Sequence, residues 1–314
     1  MELNYGIMSV SSIAPRFIAA LRESDSGCVV AVSSRSLERA KQKAEEWNIP
    51  KAYGSHAELL DDKDVNIVYI SSVNSAHYSM AKAALEKGKN VVCEKPCTVS
   101  EKETEELYAL ARKKGLFFME AQKMLFLPVI NEVKSLIDRG EIGDIVMITM
   151  SHSFSAAYNN WMYDEALGGG PLLSSGIYAI QLMQYLLGDI DDIDGKKTAV
   201  ENGVESQYCL TGRLKNGTLF CVNNSTLVAL DNRAVIYGKE GRIELPEYWK
   251  TRKALVYRGD SPERTIEYPC KYEMIYEAEH IKRCMEEGRI TSPVVTEEIS
   301  LKGIKAIEMV KKKW

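Results

Sequence analysis

Short apolar runs alternate with amphipathic stretches through the first 121 residues. "LNYGIM" (3–8), "CVVAVSS" (28–34), "VNIVYISS" (65–72), "NVVCEKP" (90–96) and "LFFMEA" (116–121) read as strands. Their near-continuous apolar character is that of parallel strands buried on both faces. Between them, "APRFIAALRES" (14–24), "SLERAKQKAEEWN" (36–48), "AHYSMAKAALEKG" (76–88) and "SEKETEELYALARKKG" (100–115) carry helical spacing. Pro15 suits a first turn, Ser36 and Ser100 are cap residues, and Glu103 completes a capping-box spacing. Gly88 and Gly115 are helix stops. Strand–helix alternation with short links predicts a doubly wound parallel sheet with right-handed crossovers.

The texture changes after residue 122. A helix (128–139), a strand (145–152), a loop holding Trp161, a Gly168-Gly169-Gly170 turn and a helix (174–187) follow. Segments 204–214, 217–226, 232–238 and 241–245, joined by tight "KNG" and "KEG" turns, read as an antiparallel meander. Two helices (272–286 and 297–313) close the chain. The pattern predicts an α/β fold in two domains: a parallel sheet over 1–121, and an α+β domain with a largely antiparallel sheet over 122–314. No repeat and no low-complexity linker divides them.

Composition narrows the function classes. The 314 residues are 45% hydrophobic and 27% charged, with a net charge of −4, which gives no basis for a nucleic-acid or membrane partner. The first residues lack a basic flank before an apolar core, so no secretory signal is read. Seven scattered cysteines point to free thiols in a reducing cytoplasm. Cys93 and Cys97 are close, but no second pair completes a zinc site, and no metal is expected.

In a doubly wound sheet, ligands bind at the carboxyl ends of the strands. Those ends are Ser9–Ser12, Ser33–Arg35, Ser71–Asn74, Glu94–Pro96 and Glu120 onward, and the polar residues of interest fall there.

Four segments then align in order: "GIMSVSSIA" (6–14), "VYISSVNSAHYSMAKAALEKGKNVVCEKP" (68–96), "MEAQKMLFLP" (119–128) and "GGGPLLSSGIY" (168–178). Together they resemble the glucose–fructose oxidoreductase/inositol dehydrogenase (Gfo/Idh/MocA) superfamily across essentially the whole chain. Glu94-Lys95-Pro96 at a strand end is the most specific part. The resemblance implies a Rossmann domain, a substrate-binding and dimerisation domain with an open sheet, and hydride transfer between NAD(P) and a sugar, polyol or related carbonyl compound. It also implies a homodimer.

On this resemblance Ser9, Val10, Ser11, Ser12 and Ile13 form the phosphate loop, with serines where the family has glycines and Ala14 as its third small residue. A serine hydroxyl can donate to a phosphate oxygen, and the following helix start offers free N–H groups. Each added Cβ pushes the pyrophosphate outward. At the second strand end, Ser33, Ser34 and Arg35 bring no acid for a ribose 2′-hydroxyl. A guanidinium beside two hydroxyls suits a 2′-phosphate, so NADP is favoured over NAD. Ser71, Ser72, Asn74, His77, Glu94 and Gln122 complete the cofactor side, with Val73 replacing the family's usual Pro.

The chemistry falls to Lys95 and Tyr178. Lys95 can hold the substrate oxygen and stabilise alkoxide charge. Tyr178 stands where the family has its proton-shuttling His or Tyr, and an ordinary phenol titrates near 10, so it needs a cationic neighbour. Lys95 and the oxidised nicotinamide are the neighbours expected. Ser174, one helical turn earlier, replaces the family's usual Asp, with Asp164 and Glu165 the nearby acids. Gln122, Trp161 and Ser174 join Lys95 and Tyr178 on the substrate side. Lys123 reads equally as a ligand contact or as an interdomain lysine. His152 lies near the substrate face, and His56 and His280 read as ordinary helical residues. Two alternatives stay open: a nucleotide-binding regulatory protein with weak or no turnover, and redox-assisted glycoside cleavage on the same scaffold.

Overall fold

The computed structural model describes residues 2–154, 161–199 and 203–314. The chain forms two compact units. Unit 1 is Met1–Gln122 with Tyr272–Ser300, and unit 2 is Lys123–Lys271 with Leu301–Trp314.

Unit 1 runs β1 (Asn4–Met8), α1 (Ala14–Ser24), β2 (Cys28–Ser33), α2 (Leu37–Glu46), β3 (Lys51–Tyr53), α3 (His56–Asp61), β4 (Ile67–Ile70), α4 (His77–Glu86), β5 (Asn90–Glu94), α5 (Glu101–Lys114) and β6 (Phe118–Ala121). The sheet order is β3-β2-β1-β4-β5-β6, and every pairing is parallel. This is the Rossmann arrangement, in which strand order reverses between β1 and β4 and opens a crevice at their carboxyl ends.

Local chemistry sets the elements. Ser36, Ser55 and Ser100 cap α2, α3 and α5 by accepting the N–H groups of Arg39, Glu58 and Glu103. The Ser100 N–H donates to Thr98 Oγ1 at 3.3 Å rather than closing the capping box with Glu103. Gly115, at φ 64°, ends α5 in the left-handed region that glycine takes freely. The core stacks Phe17 of α1 on Tyr69 of β4, centroids 3.9 Å apart and planes 5° from parallel. Gly6 of β1 is required by close approach, since a Cβ there would lie 2.7 Å from Leu59 Cδ2 of α3.

The sequence pattern passes over β3 and α3. Both are too short to show a period, and α3 is six residues whose serine cap carries most of its signal.

Unit 2 contains α6 (Pro128–Asp138), β7 (Ile145–Ser153), α7 (Ile177–Leu187), β8 (Ile190–Ala199), β9 (Glu205–Leu214), β10 (Leu219–Ser225), β11 (Arg233–Gly238), β12 (Gly241–Pro246), β13 (Lys253–Tyr257) and β14 (Pro262–Glu267). Its sheet order is β14-β13-β12-β11-β7-β10-β9-β8. The simple meander is corrected here. β10 and β11 are consecutive but do not pair, because β7 lies between them, parallel to β10 and antiparallel to β11. Edge strands β8 and β14, "IDDIDGKKTA" and "PERTIE", are too polar to announce themselves, and that polarity blunts the sheet edges.

Helix α8 (Ile275–Glu286) returns the chain to unit 1, where it packs against α1. Arg16 pairs with Glu273, Lys282 Nζ donates to Asp25 O at 2.9 Å, and Phe118 N–H donates to Ile290 O at 3.1 Å. The final helix α9 (Glu297–Lys313) counts with unit 1 up to Ser300 and with unit 2 from Leu301. Within unit 2, Gly303 lets α9 approach α7, since a Cβ would lie 3.0 Å from Gln181 Nε2.

Candidate active site

The carboxyl ends of β1, β2 and β4 are tied by their own backbone. Ser9 N–H donates to Ser33 O at 3.2 Å, and Ser71 N–H donates to Met8 O at 3.3 Å. Ser9 itself sits at φ 86°, a left-handed conformation that serine adopts only against steric resistance. The turn after β1 is therefore made tightly without a glycine.

Val10 is buried, Ser12 is exposed, and Ile13 precedes α1 without a side-chain cap to its N–H groups. The first turn of α1 carries no acid, and the Ser11 hydroxyl is buried with no partner among the described residues. Ala14 is fully buried, as the packing role of a third small residue demands. A buried donor, uncapped N–H groups and no carboxylate fit a pyrophosphate.

At the end of β2, Ser33 and Ser34 are buried and Arg35 is exposed. Ser33 Oγ lies 2.8 Å from His56 Nδ1, and burial together with the Arg35 charge lowers the imidazole's proton affinity. His56 is therefore more than the ordinary helical residue its sequence context suggests. It opens α3 and meets the end of β2, and the unread α3 left no signal for this.

After β4, Asn74 is buried in the short turn Asn74–Ala76. His77 has Nδ1 2.8 Å from Pro96 O and Nε2 3.1 Å from Ser72 O. Both ring nitrogens thus lie at backbone carbonyls, and the neutral imidazole that burial favours donates to one of the two, packed between the Lys95-Pro96 corner and the turn after β4. Ser71 Oγ donates to Ser9 O at 3.4 Å.

At the end of β5, Glu94 accepts the Tyr69 hydroxyl, and its other oxygen accepts Lys95 N–H at 3.3 Å. Burial pulls the Lys95 ammonium down to about 8, while Glu94 and Glu120 act in the opposite sense. Glu120 of β6 accepts Cys97 N–H at 3.0 Å through one oxygen and Ser300 Oγ–H at 2.7 Å through the other. Burial pushes the Cys93 and Cys97 thiols up, as suits inert core residues. Gln122, just past β6, is fully buried.

In unit 2, one π-helical turn, Leu172–Gly176, leads into α7. Glu205 of β9 accepts Leu172 N–H at 2.6 Å and holds the start of that turn. Ser174 lies within it, its hydroxyl donating to Gly170 O at 2.9 Å. Ser174 thus sits in a π-helical turn one turn before Tyr178 of α7. Tyr178 is 7% exposed, and its hydroxyl accepts from Lys123 Nζ at 2.7 Å, with Lys123 6% exposed. Trp161 is half-buried at the start of a short turn, and Asp164 spends its carboxylate on Ala166 N–H. His152 stacks on Trp249, centroids 3.8 Å apart. Among the described residues, no cluster of His, Cys, Asp and Glu could hold a metal ion.

Comparison with known proteins shows the family of the chain. A family model described as "Oxidoreductase family, NAD-binding Rossmann fold" matches residues 3–122, and one for the "GFO/IDH/MocA C-terminal domain" matches 130–244. The chain belongs to the GFO/IDH/MocA oxidoreductases. It is an NAD(P)-dependent oxidoreductase acting on CH–OH groups.

The trans-1,2-dihydrobenzene-1,2-diol dehydrogenase of Homo sapiens is 32% identical to this oxidoreductase over 310 residues, 94% of this chain and 92% of its own. Two solved structures share the fold over 100% of the chain. One is aldose-aldose oxidoreductase from Caulobacter crescentus complexed with glycerol (24% identical, TM-score 0.89, 97% of that chain). The other is KijD10, a 3-ketoreductase from Actinomadura kijaniata with NADP and TDP-benzene (23%, 0.90, 98%).

Within this oxidoreductase, sequence reasoning missed His56, Glu205 and the bond between Lys123 and Tyr178. The two partners in that bond lie 55 positions apart, and no local spacing links them.

Two outcomes follow from this geometry. Ser9→Gly relieves the left-handed strain and stabilises the fold by about 1 kcal/mol, read by urea denaturation. Lys95 carries its burial penalty fully below pH 8, and the penalty fades as pH rises toward 10.5, the ordinary lysine value. Lys95→Met therefore stabilises the protein at pH 7 by about 1–3 kcal/mol, and thermal melts show that gain vanishing toward pH 10.

Proposed function

We propose that the enzyme prefers NADP+ and oxidises one hydroxyl of a cyclic vicinal diol. One observation carries the substrate class. A relative 32% identical over nearly its whole length is named for a ring bearing adjacent hydroxyls, the same unit that a pyranose presents. The cofactor preference rests on the end of β2, where the exposed Arg35 guanidinium follows two serines and no acid stands by for a 2′-hydroxyl.

When bound, the dinucleotide supplies the hydride acceptor. Ser9–Ile13 would hold its pyrophosphate, Ser33–Arg35 its 2′-phosphate, and Ser71, Ser72, Asn74, Glu94 and Gln122 its nicotinamide half. His77 serves this site by fixing the Lys95 corner. Lys95 supplies an ammonium to the reacting oxygen, and Tyr178 takes the hydroxyl proton. Gln122, Trp161 and Ser174 would be substrate contacts, as the family resemblance implies. An ammonium held down to about 8 by burial is poised close to neutrality, a common property of catalytic lysines.

The working unit is a homodimer in the cytoplasm. Support for self-association lies on one sheet face, where Met147 of β7 and its cross-strand partner Leu219 of β10 are 39% and 49% exposed, with Val146 beside them at 44%. Seven unbridged cysteines suit a reducing compartment. No helix among the described residues is long and apolar enough to cross a membrane.

The assay is NADP+ reduction with trans-1,2-dihydrobenzene-1,2-diol and a panel of aldopyranoses. Turnover is expected, with losses of about 100-fold or more in Lys95→Met and Tyr178→Phe. Arg35→Ser weakens NADP+ binding by about 10- to 100-fold and leaves NAD+ binding nearly unchanged. Normal NADP+ binding with no turnover across the panel would overturn the reading. Sedimentation should show a species near twice 35.2 kDa, reduced to a monomer by Leu219→Asp. A monomer in the unaltered protein rejects the dimer.

A further inference from the structure

Tyr178 and Lys123 reach each other from different elements of unit 2. Lys123 opens the short turn Lys123–Phe126 that follows β6, and Tyr178 is the second residue of α7. The ammonium donates to the phenol oxygen at 2.7 Å and lies 4.8 Å from the ring centroid. Both side chains are more than nine-tenths buried. A buried ammonium loses most of its hydration, and a methionine of similar length would fill the same space without that loss. Ser174, in the turn before α7, is neutral and committed to the Gly170 carbonyl.

Elements packed against these two residues carry other titratable groups. Glu205 and Tyr208 of β9 and Tyr248 after β12 are all raised by burial, so both of those phenols stay neutral at alkaline pH. On α6, Lys134 pairs with Asp138 and Glu132 pairs with Arg139 at the surface. Lys123 donates directly to the Tyr178 oxygen.

We propose that Lys123 is the positioning residue that prepares Tyr178 for proton transfer, fixing its oxygen and favouring the phenolate. The inference rests on the reading of Tyr178 as the proton acceptor. In the oxidising direction the substrate O–H bond breaks, its proton forms a new O–H bond on the phenolate oxygen, and Lys123 keeps all of its protons. An ammonium at hydrogen-bonding distance lowers the pH at which a phenol ionises. Tyr178 is thereby a competent base well below the pH of an ordinary tyrosine.

Two readouts test this. The first is the pH profile of kcat/KM for trans-1,2-dihydrobenzene-1,2-diol oxidation with NADP+. Lys123→Met should move the limb on which activity rises with pH upward by about 1–2 pH units. Lys123→Arg should hold it near its original place, and the far limb, set by Lys95, should stay put. The second is the ultraviolet tyrosinate titration of the unliganded protein, taken as the difference from Tyr178→Phe. That difference should shift upward in Lys123→Met, with circular dichroism confirming the fold.

A uniform fall in activity at every pH, with the titration unmoved, would show a merely structural lysine and overturn the inference. Full turnover in Tyr178→Phe would instead overturn the assignment of Tyr178 as base. The tyrosinate titration would then still report whether Lys123 stabilises the phenolate.

Discussion

One buried carboxylate holds unit 1 in working order. Glu120 joins β6, the corner that follows Lys95, and the returning segment that ends at Ser300. Ser300 Oγ also lies 3.1 Å from the Tyr108 hydroxyl, so α5 enters the same network. A carboxylate left unsatisfied in such a place would be costly, and here both oxygens are engaged. The price of burying Glu120 is met by the two donors, and the result is a fixed peptide just beyond Lys95. The lysine can then be half-buried and held near neutrality without its backbone drifting.

Much of this plan is legible in the amino-acid order. Buried parallel strands announce themselves as apolar runs, and a serine cap with a glycine stop marks a helix within a residue or two, as at α5. What escapes reading is whatever lacks a period or depends on distant partners. β3 and α3 are too short to repeat a pattern. β8 and β14 look polar because they are edges. The placement of β7 between β10 and β11 depends on side chains from three separated segments, and the return of Tyr272–Ser300 to unit 1 depends on α1.

The same division runs through the site. Strand ends and the Glu94-Lys95-Pro96 run are local features and were readable. Lys123 was visible as a residue, but its bond to Tyr178 was not, because helix α7 and the turn after β6 meet only in three dimensions. The loop after β1 teaches the converse. Its serines look like damage in one dimension, yet Ser9 still takes the left-handed turn and Ser11 still offers a buried hydroxyl. The backbone takes this path without the residue that makes it easiest.

The central place of β7 bears on the order of synthesis. It is the first strand of the second sheet to leave the ribosome, yet its neighbours β10 and β11 come much later. Until then Ile148 and Met150, fully buried in the finished protein, have no sheet to enter. Helix α8, which completes unit 1, is later still. Neither half of the molecule can finish before nearly all of the chain exists, and such non-local closure is slow. The nascent chain thus carries an apolar strand with two open edges through much of its translation, and the folding machinery of the cell must keep that strand from other chains.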